Sequence, residues 1–495
     1  MKSTARRLTL LAFLVYAVTG GGRIVGSDEV TMLELSRSLL HGRIDVPEGA
    51  TAIGARGLPV TKNAAGQAVL ALPLVAAGEV MAAAAPEARR PLVTRFVASF
   101  LNAGLTAVLL GVFYAAARGL GVRVLPALAA SLLLGFATPL WVYAKSFMAE
   151  PLEALGLLLV LAGSAGDGSK RLWTAALGAL LAVSAKLSVT PLAILCALPL
   201  VSRPRRAWPV LGGFALALVG HALYDWARFG NPFETGYGMQ ATPAAYTTPL
   251  LVGLYGLLIS SGKGVLWFAP SLWLAPAGWR RMVTAGGRAR AAAVAGLTAT
   301  IFALGLYGTF QHWAGDGSFG PRYLVPILPL VFLGVAFAFD QASRRTRVAA
   351  VALGLAGVLV QIGGVSIHFG AQMREAGDYP YRLPLSDPRF MSDSHFNPRF
   401  SPLADHWRML VRNLGEHLRG QAPRLGGDGI VDPRIGVGVE DQRRLLHALD
   451  YWWLYAGYAG VPRAPLVAAA LLLVALAAVA ARNLGVAARA EARAP

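Results

Sequence analysis

Residues 8–29 read LTLLAFLVYAVTGGGRIVGSDE, an apolar run that ends in two adjacent carboxylates. The run Leu8–Val25 has roughly the length that crosses the hydrocarbon core of a bilayer. It follows the basic start KSTARR at 2–7, and basic residues stay on the cytoplasmic side. The stretch therefore predicts a first transmembrane helix that delivers Asp28 and Glu29 to the outer surface. A cleaved signal peptide is the alternative interpretation, because it also combines a basic start with an apolar core.

The composition predicts a polytopic helical membrane protein. Of the 495 residues, 55% are hydrophobic and only 14% are charged, and the mean hydropathy is +0.53. The net charge of +19 comes from arginine and lysine clusters between apolar runs, which is a topology signal and not a nucleic-acid-binding stripe. Nucleic acid is therefore not an expected partner. Cys196 is the single cysteine, so neither an intrachain disulfide nor a cysteine-based metal site is expected.

The apolar runs predict an all-α bundle of about twelve transmembrane helices with both termini in the cytoplasm. The runs are Leu8–Val25, Leu92–Ala116, Val124–Tyr143, Pro151–Gly163, Leu172–Ala185, Leu187–Leu200, Pro209–Tyr224, Gly264–Trp279, Ala291–Phe310, Tyr323–Asp340, Val348–Ile367 and Pro465–Ala481. The segment 67–85 is long enough to span as well. We expect a re-entrant helix or one that lies in the membrane interface, because a spanning helix would move two basic clusters to the outer side.

This topology is that of a multi-pass inner-membrane protein of bacterial type with its active site facing the periplasm or cell exterior. It divides the chain into three regions. They are a transmembrane catalytic module at 1–367 with juxtamembrane helices in the outer loop 27–91, an extracytoplasmic cap at 368–463, and a last transmembrane helix with a basic cytoplasmic tail at 464–495. The cap is rich in proline, arginine and aromatic residues. Its sequence predicts short helices at Pro402–Leu418 and Glu440–Tyr455.

Acidic residues from two different runs are expected to meet at the outer surface. Ser27 can cap a helix whose first turn holds Asp28 and Glu29, where the helix dipole keeps carboxylates ionised. Ordinary helix-start residues have the same pattern, so this feature alone does not define a site. Glu150, which follows another apolar run, brings a further acid to the same surface and favours the functional interpretation.

Basic residues at the same surface suit a phosphate-bearing lipid. Lys62 lies in PVTKNAAG at 59–66, and Arg322 opens an apolar run in GPRY at 320–323. The alternatives are a solvated loop lysine and a salt bridge between Arg322 and Asp316.

Several stretches of the chain, in the same order, resemble a known family of membrane enzymes. They are Asp28-Glu29, KNAAGQAVLALP at 62–73, PLWVYAKSFMAE at 139–150, FGNPFETGY at 229–237, GLYGLLISSGKG at 253–264 and GPRYLVPILP at 320–329. The chain resembles GT-C glycosyltransferases of the family-39-like, phospholipid-carrier-dependent group. This group includes the bacterial relatives of protein O-mannosyltransferases and the lipid A aminoarabinose transferases. The resemblance implies a GT-C-like bundle.

The resemblance also implies a reaction. A monosaccharide carried on a polyprenyl phosphate passes to an acceptor with inversion, and the first-loop acid, here Asp28, acts as the general base. A carboxylate within hydrogen-bond reach can supply that proton transfer. The departing phosphate needs a positive partner, for which Lys62, Lys263 and Arg322 are the candidates.

The remaining candidate residues have two possible roles. Glu29 and Glu150 are expected to hold the sugar or the acceptor, or to bind a divalent ion with His312, since oxygen ligands suit Mg²⁺ or Mn²⁺ and zinc would need a histidine. His312 can equally be a packed loop residue. No cofactor is certain. Lys62 is followed by Asn-Ala-Ala where many relatives have two prolines, and this departure weakens its assignment to the phosphate.

The cap does not resemble the repeated modules of protein O-mannosyltransferases, so a glycan or lipid is the expected acceptor, with membrane lipid as the surrounding partner. Two other classes of function stay open on the sequence. A transporter or flippase of a lipid-linked intermediate predicts ionisable residues at mid-span. A non-catalytic membrane scaffold predicts that Asp28 only starts a helix.

Overall fold

The computed structural model describes residues 2–47, 49–340, 342–377, 383, 387, 389, 392–425, 431–432, 437–438 and 443–493. The α-helices are α1 Lys2–Thr19, α2 Ser27–Leu40, α3 Gly66–Ala82, α4 Arg90–Ala98, α5 Leu101–Gly119, α6 Val124–Phe136, α7 Leu140–Tyr143, α8 Glu150–Ser164, α9 Ser169–Ala185, α10 Thr190–Cys196, α11 Trp208–Phe229, α12 Leu250–Leu258, α13 Val265–Phe268, α14 Ala275–Ala285, α15 Gly287–Thr309, α16 Leu328–Asp340, α17 Arg344–Ser366, α18 Phe369–Ala376, α19 Ser392–Phe396, α20 Pro402–Leu418, α21 Trp452–Tyr458 and α22 Arg463–Arg493. The strands β1 Ala52–Ile53 and β2 Pro59–Val60 form one antiparallel hairpin, and β3 Val431–Asp432 and β4 Val437–Gly438 form another.

Helix α8 lies at the centre of the bundle and packs against α9, α5, α10 and α16. Nearly all of its residues are buried, as expected for a helix that is apolar on every side. Glycines permit the close approach of α9: a Cβ on Gly156 would lie 2.6 Å from the backbone nitrogen of Ala182. Small residues at helix contacts are the usual way in which membrane helices pack closely. The start of α8 is consequently held in a fixed position.

Within the described residues, six helical stretches are long and apolar enough to cross a membrane. They are Arg90–Gly119, Trp208–Phe229, Gly287–Thr309, Arg322–Asp340, Arg344–Ser366 and Arg463–Arg493. The helical class and the multi-pass character predicted from the sequence are confirmed. The total of about twelve spans, the cytoplasmic termini and the position of the segment 67–85 in the membrane stay predictions.

Several predicted spans are not single continuous helices. The run Val124–Tyr143 breaks before Pro139, and the run Gly264–Trp279 becomes α13, a 3₁₀ helix and α14, with a break at Pro270. Proline at these positions removes a backbone donor and disfavours a continued helix. The first helix ends at Thr19, six residues before the predicted Val25, where three glycines follow. The outer segment before Lys263 contains the additional apolar helix α12.

The outer loop folds as two helices around a short hairpin. Helix α2 packs against α3, and α3 against α4. The apolar side of α2, with Val30 and Leu33, is buried against Ala71, Val75 and Phe147. The loop is therefore held to the bundle by its own hydrophobic core.

The described part of the cap contains α18, α19, α20 and α21 and the hairpin β3–β4. Helix α20 begins and ends at the predicted residues, Pro402 and Leu418. The predicted helix Glu440–Tyr455 is wrong: the chain forms a 3₁₀ helix at Leu445–His447, is extended near Asp450 and becomes helical again at Trp452, while 440–442 lie outside the described residues. Two backbone contacts explain the break, because Asp450 N–H donates to Ser366 O and Trp452 N–H to Gly20 O, each at 2.8 Å.

Candidate active site

Two acids and one arginine from distant parts of the sequence meet at one end of the bundle. Arg322 Nη2 donates to Asp28 Oδ2 at 3.0 Å, and Arg322 Nε donates to Glu150 Oε1. Glu150 is 1% exposed at its side chain, whereas Asp28 is 23% exposed. Among the described residues, Asp28 Oδ1 accepts no hydrogen bond. This oxygen is therefore free to meet a substrate.

Helix α2 carries Asp28 in its first turn, and Glu29 fixes the direction of that turn. The predicted cap Ser27 is wrong, since the helix begins at Ser27 and Gly26 occupies the cap position. Glu29 Oε2 accepts from Gly26 N–H at 2.7 Å, and Oε1 accepts from Phe147 N–H at 2.5 Å. Oε2 therefore caps α2 itself, and Oε1 joins α2 to the segment before α8. Burial raises the pKa of Glu29, partly offset by these backbone hydrogen bonds.

The start of α8, which carries Glu150, is held by two amide side chains. Gln67 Nε2 donates to Asn102 Oδ1 at 3.0 Å, and Asn102 Nδ2 donates to Met148 O at 2.7 Å. Gln67 Nε2 also lies 3.4 Å from Phe147 O. Buried amides used in this way satisfy backbone groups that would otherwise be unpaired. The acid Glu150 is consequently positioned by α3 and α5.

Lys62 follows the β1–β2 hairpin and lies beside α2. Its neighbour Asn63 donates from Nδ2 to Thr31 Oγ1 at 2.9 Å and lies 3.4 Å from Asp28 O. The Lys62 ammonium lies 5.3 Å from the centroid of the Tyr237 ring. Within the described residues it has no ion-pair partner. Lys62 is therefore a cation near Asp28 that is available for an anionic ligand.

Lys186 is a second such cation, and the sequence analysis did not single it out. It ends α9 and lies 4.7 Å from the centroid of the Tyr323 ring. Gly66 brings the Lys62 loop against it, since a Cβ on Gly66 would clash with Ser184 O. The signal was present in the sequence, because Lys186 is a lone cation between two apolar runs at their outer end.

The charges around Asp28 determine its ionisation. Burial alone would raise the pKa of its carboxyl, but the charges of Arg322, Lys62 and Lys186 and the hydrogen bond from Arg322 hold the pKa below its ordinary value. An opposite charge at short range stabilises the ionised form of an acid. Asp28 is therefore a carboxylate at neutral pH.

Lys263 and His312 lie in a neighbouring loop arrangement. Lys263 Nζ donates to Ser318 O at 2.7 Å and to Asp316 O at 3.0 Å, and burial lowers its pKa to about 7. His312 is packed with Nδ1 3.6 Å from Asp316 Oδ1. The salt bridge of Arg322 to Asp316 is wrong, because Arg322 is used by the two acids. The roles of Lys263 and His312 toward a substrate stay predictions.

Glu29, Glu150 and His312 do not come together as a metal site. Across the ranges that the structure describes, no group of three histidine, cysteine, aspartate or glutamate side chains is placed to hold a metal ion. Glu29 is used by backbone amides and Glu150 by Arg322. These donor sets do not fit a metal ion.

No known family model matches the sequence, and no curated protein sequence matches it. A solved structure shows a similar fold, as expected from the motifs at 62–73 and 320–329. It is that of ArnT from Cupriavidus metallidurans. Its crystal structure bound to undecaprenyl phosphate is similar over 90% of this chain and 84% of its own, with 15% identity and a TM-score of 0.50.

Two further structures are similar to this chain. The apo crystal structure of the same ArnT is 16% identical over the same shares of both chains, with a TM-score of 0.49. The apo oligosaccharyltransferase from Archaeoglobus fulgidus is 12% identical over 82% of this chain and 55% of its own, with a TM-score of 0.41. The fold assignment rests on the ArnT complex.

Proposed function

We propose that the protein is a membrane glycosyltransferase that moves a monosaccharide from a polyprenyl phosphate to an extracytoplasmic glycan or lipid, with Asp28 as the general base. The observation that carries the proposal is the partly exposed Asp28 carboxylate, bound to Arg322 through one oxygen and flanked by the cations Lys62 and Lys186. A base beside a phosphate-binding pair of lysines is what this reaction needs.

The reaction balances as a single displacement. The acceptor hydroxyl oxygen forms a bond to C1 of the sugar while the bond between C1 and the phosphate oxygen breaks. The electron pair of the broken bond leaves with the polyprenyl phosphate, and the hydroxyl proton passes to Asp28. Because attack and departure occur on opposite faces of C1, the configuration is inverted.

A carboxylate of low pKa can act as the general base because the proton is transferred late in the reaction step. The acceptor oxygen becomes far more acidic as its bond to C1 forms, so a weak base suffices late in the step. The requirement is position and ionisation at the working pH. Arg322 supplies both, since it orients Asp28 through Oδ2 and keeps the carboxyl ionised.

Lys62 and Lys186 are the proposed partners of the departing phosphate. Positive groups aimed at developing negative charge in a partly dry site are usually a large part of catalysis. Both lysines lie over tyrosine rings and have no ion-pair partner among the described residues. The solved ArnT that shares the fold is bound to undecaprenyl phosphate, which supports a polyprenyl phosphate as the carrier here. Lys263 is a weaker candidate, because its ammonium is taken up by Ser318 and Asp316.

The acid Glu150 and Arg322 form the fixed wall of the site. Glu150 is nearly fully buried, and its Oε2 has no hydrogen-bond partner among the described residues. We assign to it the orientation of Arg322, with Oε2 as an acceptor for a sugar hydroxyl. Glu29 then serves as a positioning residue that sets the direction of α2.

The experiment offers a panel of radiolabelled polyprenyl-phosphate sugars to the purified full-length protein in nanodiscs with an envelope lipid extract as the acceptor. We expect one donor class to be consumed, with release of polyprenyl phosphate and inverted configuration in the product. Asp28→Asn should stop transfer. Asp45→Asn is the matched control, because Asp45 lies in the same outer loop and pairs with Arg43 at 3.4 Å. Consumption of no donor by the wild type would contradict the proposal.

A further inference from the structure

A cavity adjoins the Asp28 centre. Its charged or titratable lining residues are Arg23, Glu29, Tyr143, Lys145, His368 and Asp450. Glu29, the chain neighbour of Asp28, lies on its wall, but Lys62, Lys186 and Arg322 do not. The cavity is therefore next to the proposed catalytic centre and separate from its lysines.

Arg23 is the side chain in this cavity with unused hydrogen-bonding capacity. Its side chain is 9% exposed, and Nη2 lies 2.6 Å from Asp450 Oδ1. Nε and Nη1 are buried and have no hydrogen-bond partner among the described residues. The guanidinium carbon lies 4.7 Å from the centroid of the Tyr455 ring. Buried donors of a charged group are costly when left unpaired, so these two nitrogens indicate a ligand with acceptor oxygens.

Two cations share a single carboxylate in the cluster. Lys145 Nζ lies 2.9 Å from Asp450 Oδ2 and donates to Val365 O at 2.6 Å. Arg23 uses the other carboxylate oxygen of Asp450. Glu29 lines the cavity too, but its oxygens accept from backbone amides. Within itself, the Arg23 cluster, defined by Arg23, Lys145 and Asp450, carries one positive charge in excess, and the carboxyl group of Glu29 lies on the same cavity wall.

His368 adds a neutral donor to the same lining. Its Nδ1 accepts from Gly370 N–H at 3.1 Å. Burial, and after it the charge of Arg23, lowers its pKa to about 3, so the ring is neutral at physiological pH. With Nδ1 as an acceptor, the single ring proton lies on Nε2. The cavity consequently offers donors from Arg23 and His368.

We propose that this cavity binds an anionic group, a phosphate or a carboxylate, that is carried by the acceptor, with Arg23 Nε and Nη1 as its donors. The inference rests on the proposed function, since that function defines the acceptor. The carrier phosphate is assigned to Lys62 and Lys186, which lie outside the cavity lining. Apolar side chains on the wall, among them Phe319 and Phe369, leave a surface for the sugar or lipid that bears the anion.

The test measures binding of radiolabelled inorganic phosphate by equilibrium dialysis to the full-length protein in phosphatidylcholine nanodiscs. Arg23→Lys keeps a cation for Asp450 but removes Nε and Nη1. We expect saturable binding by the wild type and about tenfold weaker binding by Arg23→Lys, the loss of a charge-assisted hydrogen bond. Arg399→Gln is the matched control, because Arg399 is an exposed arginine of the cap, and it should bind like the wild type.

A second part of the experiment distinguishes a site for the anionic group of the acceptor from a site for the phosphate of the carrier lipid. With undecaprenyl phosphate saturating in the nanodiscs, so that the carrier phosphate occupies Lys62 and Lys186, the phosphate binding that depends on Arg23 should persist. Lys62→Gln should weaken binding of that lipid without weakening this Arg23-dependent binding. Displacement by undecaprenyl phosphate, unchanged binding in Arg23→Lys, or a loss only in Lys62→Gln would overturn the inference. If phosphate binds through Arg23 but no polyprenyl-phosphate sugar is consumed, the proposed function fails and the acceptor assignment is overturned with it.

Discussion

Two buried ion networks lie side by side at the end of the bundle that carries Asp28, and they have opposite arrangements. In the first, one arginine, Arg322, bridges the two acids Asp28 and Glu150. In the second, one acid, Asp450, bridges the two cations Arg23 and Lys145. Each network joins segments that are far apart in the sequence, so both contribute to the fold.

The difference lies in which charge is in excess. The Arg322 network has a surplus carboxylate, and two lysines outside it lower the pKa of Asp28. The Arg23 cluster has a surplus cation, and it leaves two guanidinium nitrogens without a partner among the described residues. A buried ion pair is weak evidence for stability alone. The unequal counts fit the two roles that we propose: a carboxylate that acts as base at Asp28, and free donor nitrogens for an anionic group at Arg23.

The largest effect is expected at Arg322. Arg322→Gln leaves two carboxylates without their shared partner, so we expect a loss of about 3–5 kcal/mol in folding free energy and no measurable transfer. A fluorescence-monitored thermal unfolding series measures the loss. Adding Glu150→Gln to Arg322→Gln should recover part of the stability, because Glu150 is then uncharged. Equal stability of the single and double variants would contradict the assignment.

The corresponding change in the second network is Asp450→Asn, which leaves Arg23 and Lys145 without their shared carboxylate. We expect a loss of about 3 kcal/mol, since two buried cations lose their common carboxylate. The same unfolding series measures it. As a control, Asp393→Asn changes an exposed acid of the cap and should leave the unfolding temperature unchanged. An unfolding temperature for Asp450→Asn equal to that of the wild type would show that the cluster does not hold the cap.

A smaller effect is expected at the lysines beside Asp28. Lys62→Gln or Lys186→Gln should raise KM for the polyprenyl-phosphate donor about tenfold, because each removes a charge-assisted contact to the phosphate. Lys170→Gln, an exposed lysine at the opposite end of α9, is the control. If all three variants have the same KM as the wild type, neither lysine binds the phosphate.

The smallest effect is a shift in the pH profile. Asp28 must be ionised to act, so kcat/KM falls as the pH drops through its pKa, which lies below the ordinary value. Lys62→Gln or Lys186→Gln removes a charge that lowers this pKa, so the acid limb of kcat/KM should move to higher pH. A shift to lower pH would contradict the account.

The sequence predicted the components of the first network well. Asp28 and Glu150 were expected to converge because each follows an apolar run at the same surface, and a multi-pass topology brings such ends together. Arg322 was expected at the same surface for the same reason. What the sequence did not predict is the pairing, because Arg322 has Asp316 closer in the chain. The geometry depends on how the 3₁₀ helix Arg322–Ile327 is placed against α8.

The second network could not be predicted. Arg23 lies within the apolar run Leu8–Val25, and Asp450 falls in a segment whose pattern predicts a helix. Only the early end of α1 at Thr19 and the extended chain near Asp450 bring the two side chains within 2.6 Å. Tertiary contacts overrode the local periodicity there, as they often do for short segments.

The central claim, that Asp28 is the base, is tested by single-turnover transfer with saturating donor, compared between the wild type and Asp28→Asn. The affinity of both proteins for undecaprenyl phosphate is measured in parallel. The account predicts a fall in rate of at least about 100-fold with unchanged affinity for the carrier. A rate for Asp28→Asn within about threefold of the wild type, at unchanged carrier affinity, would contradict it.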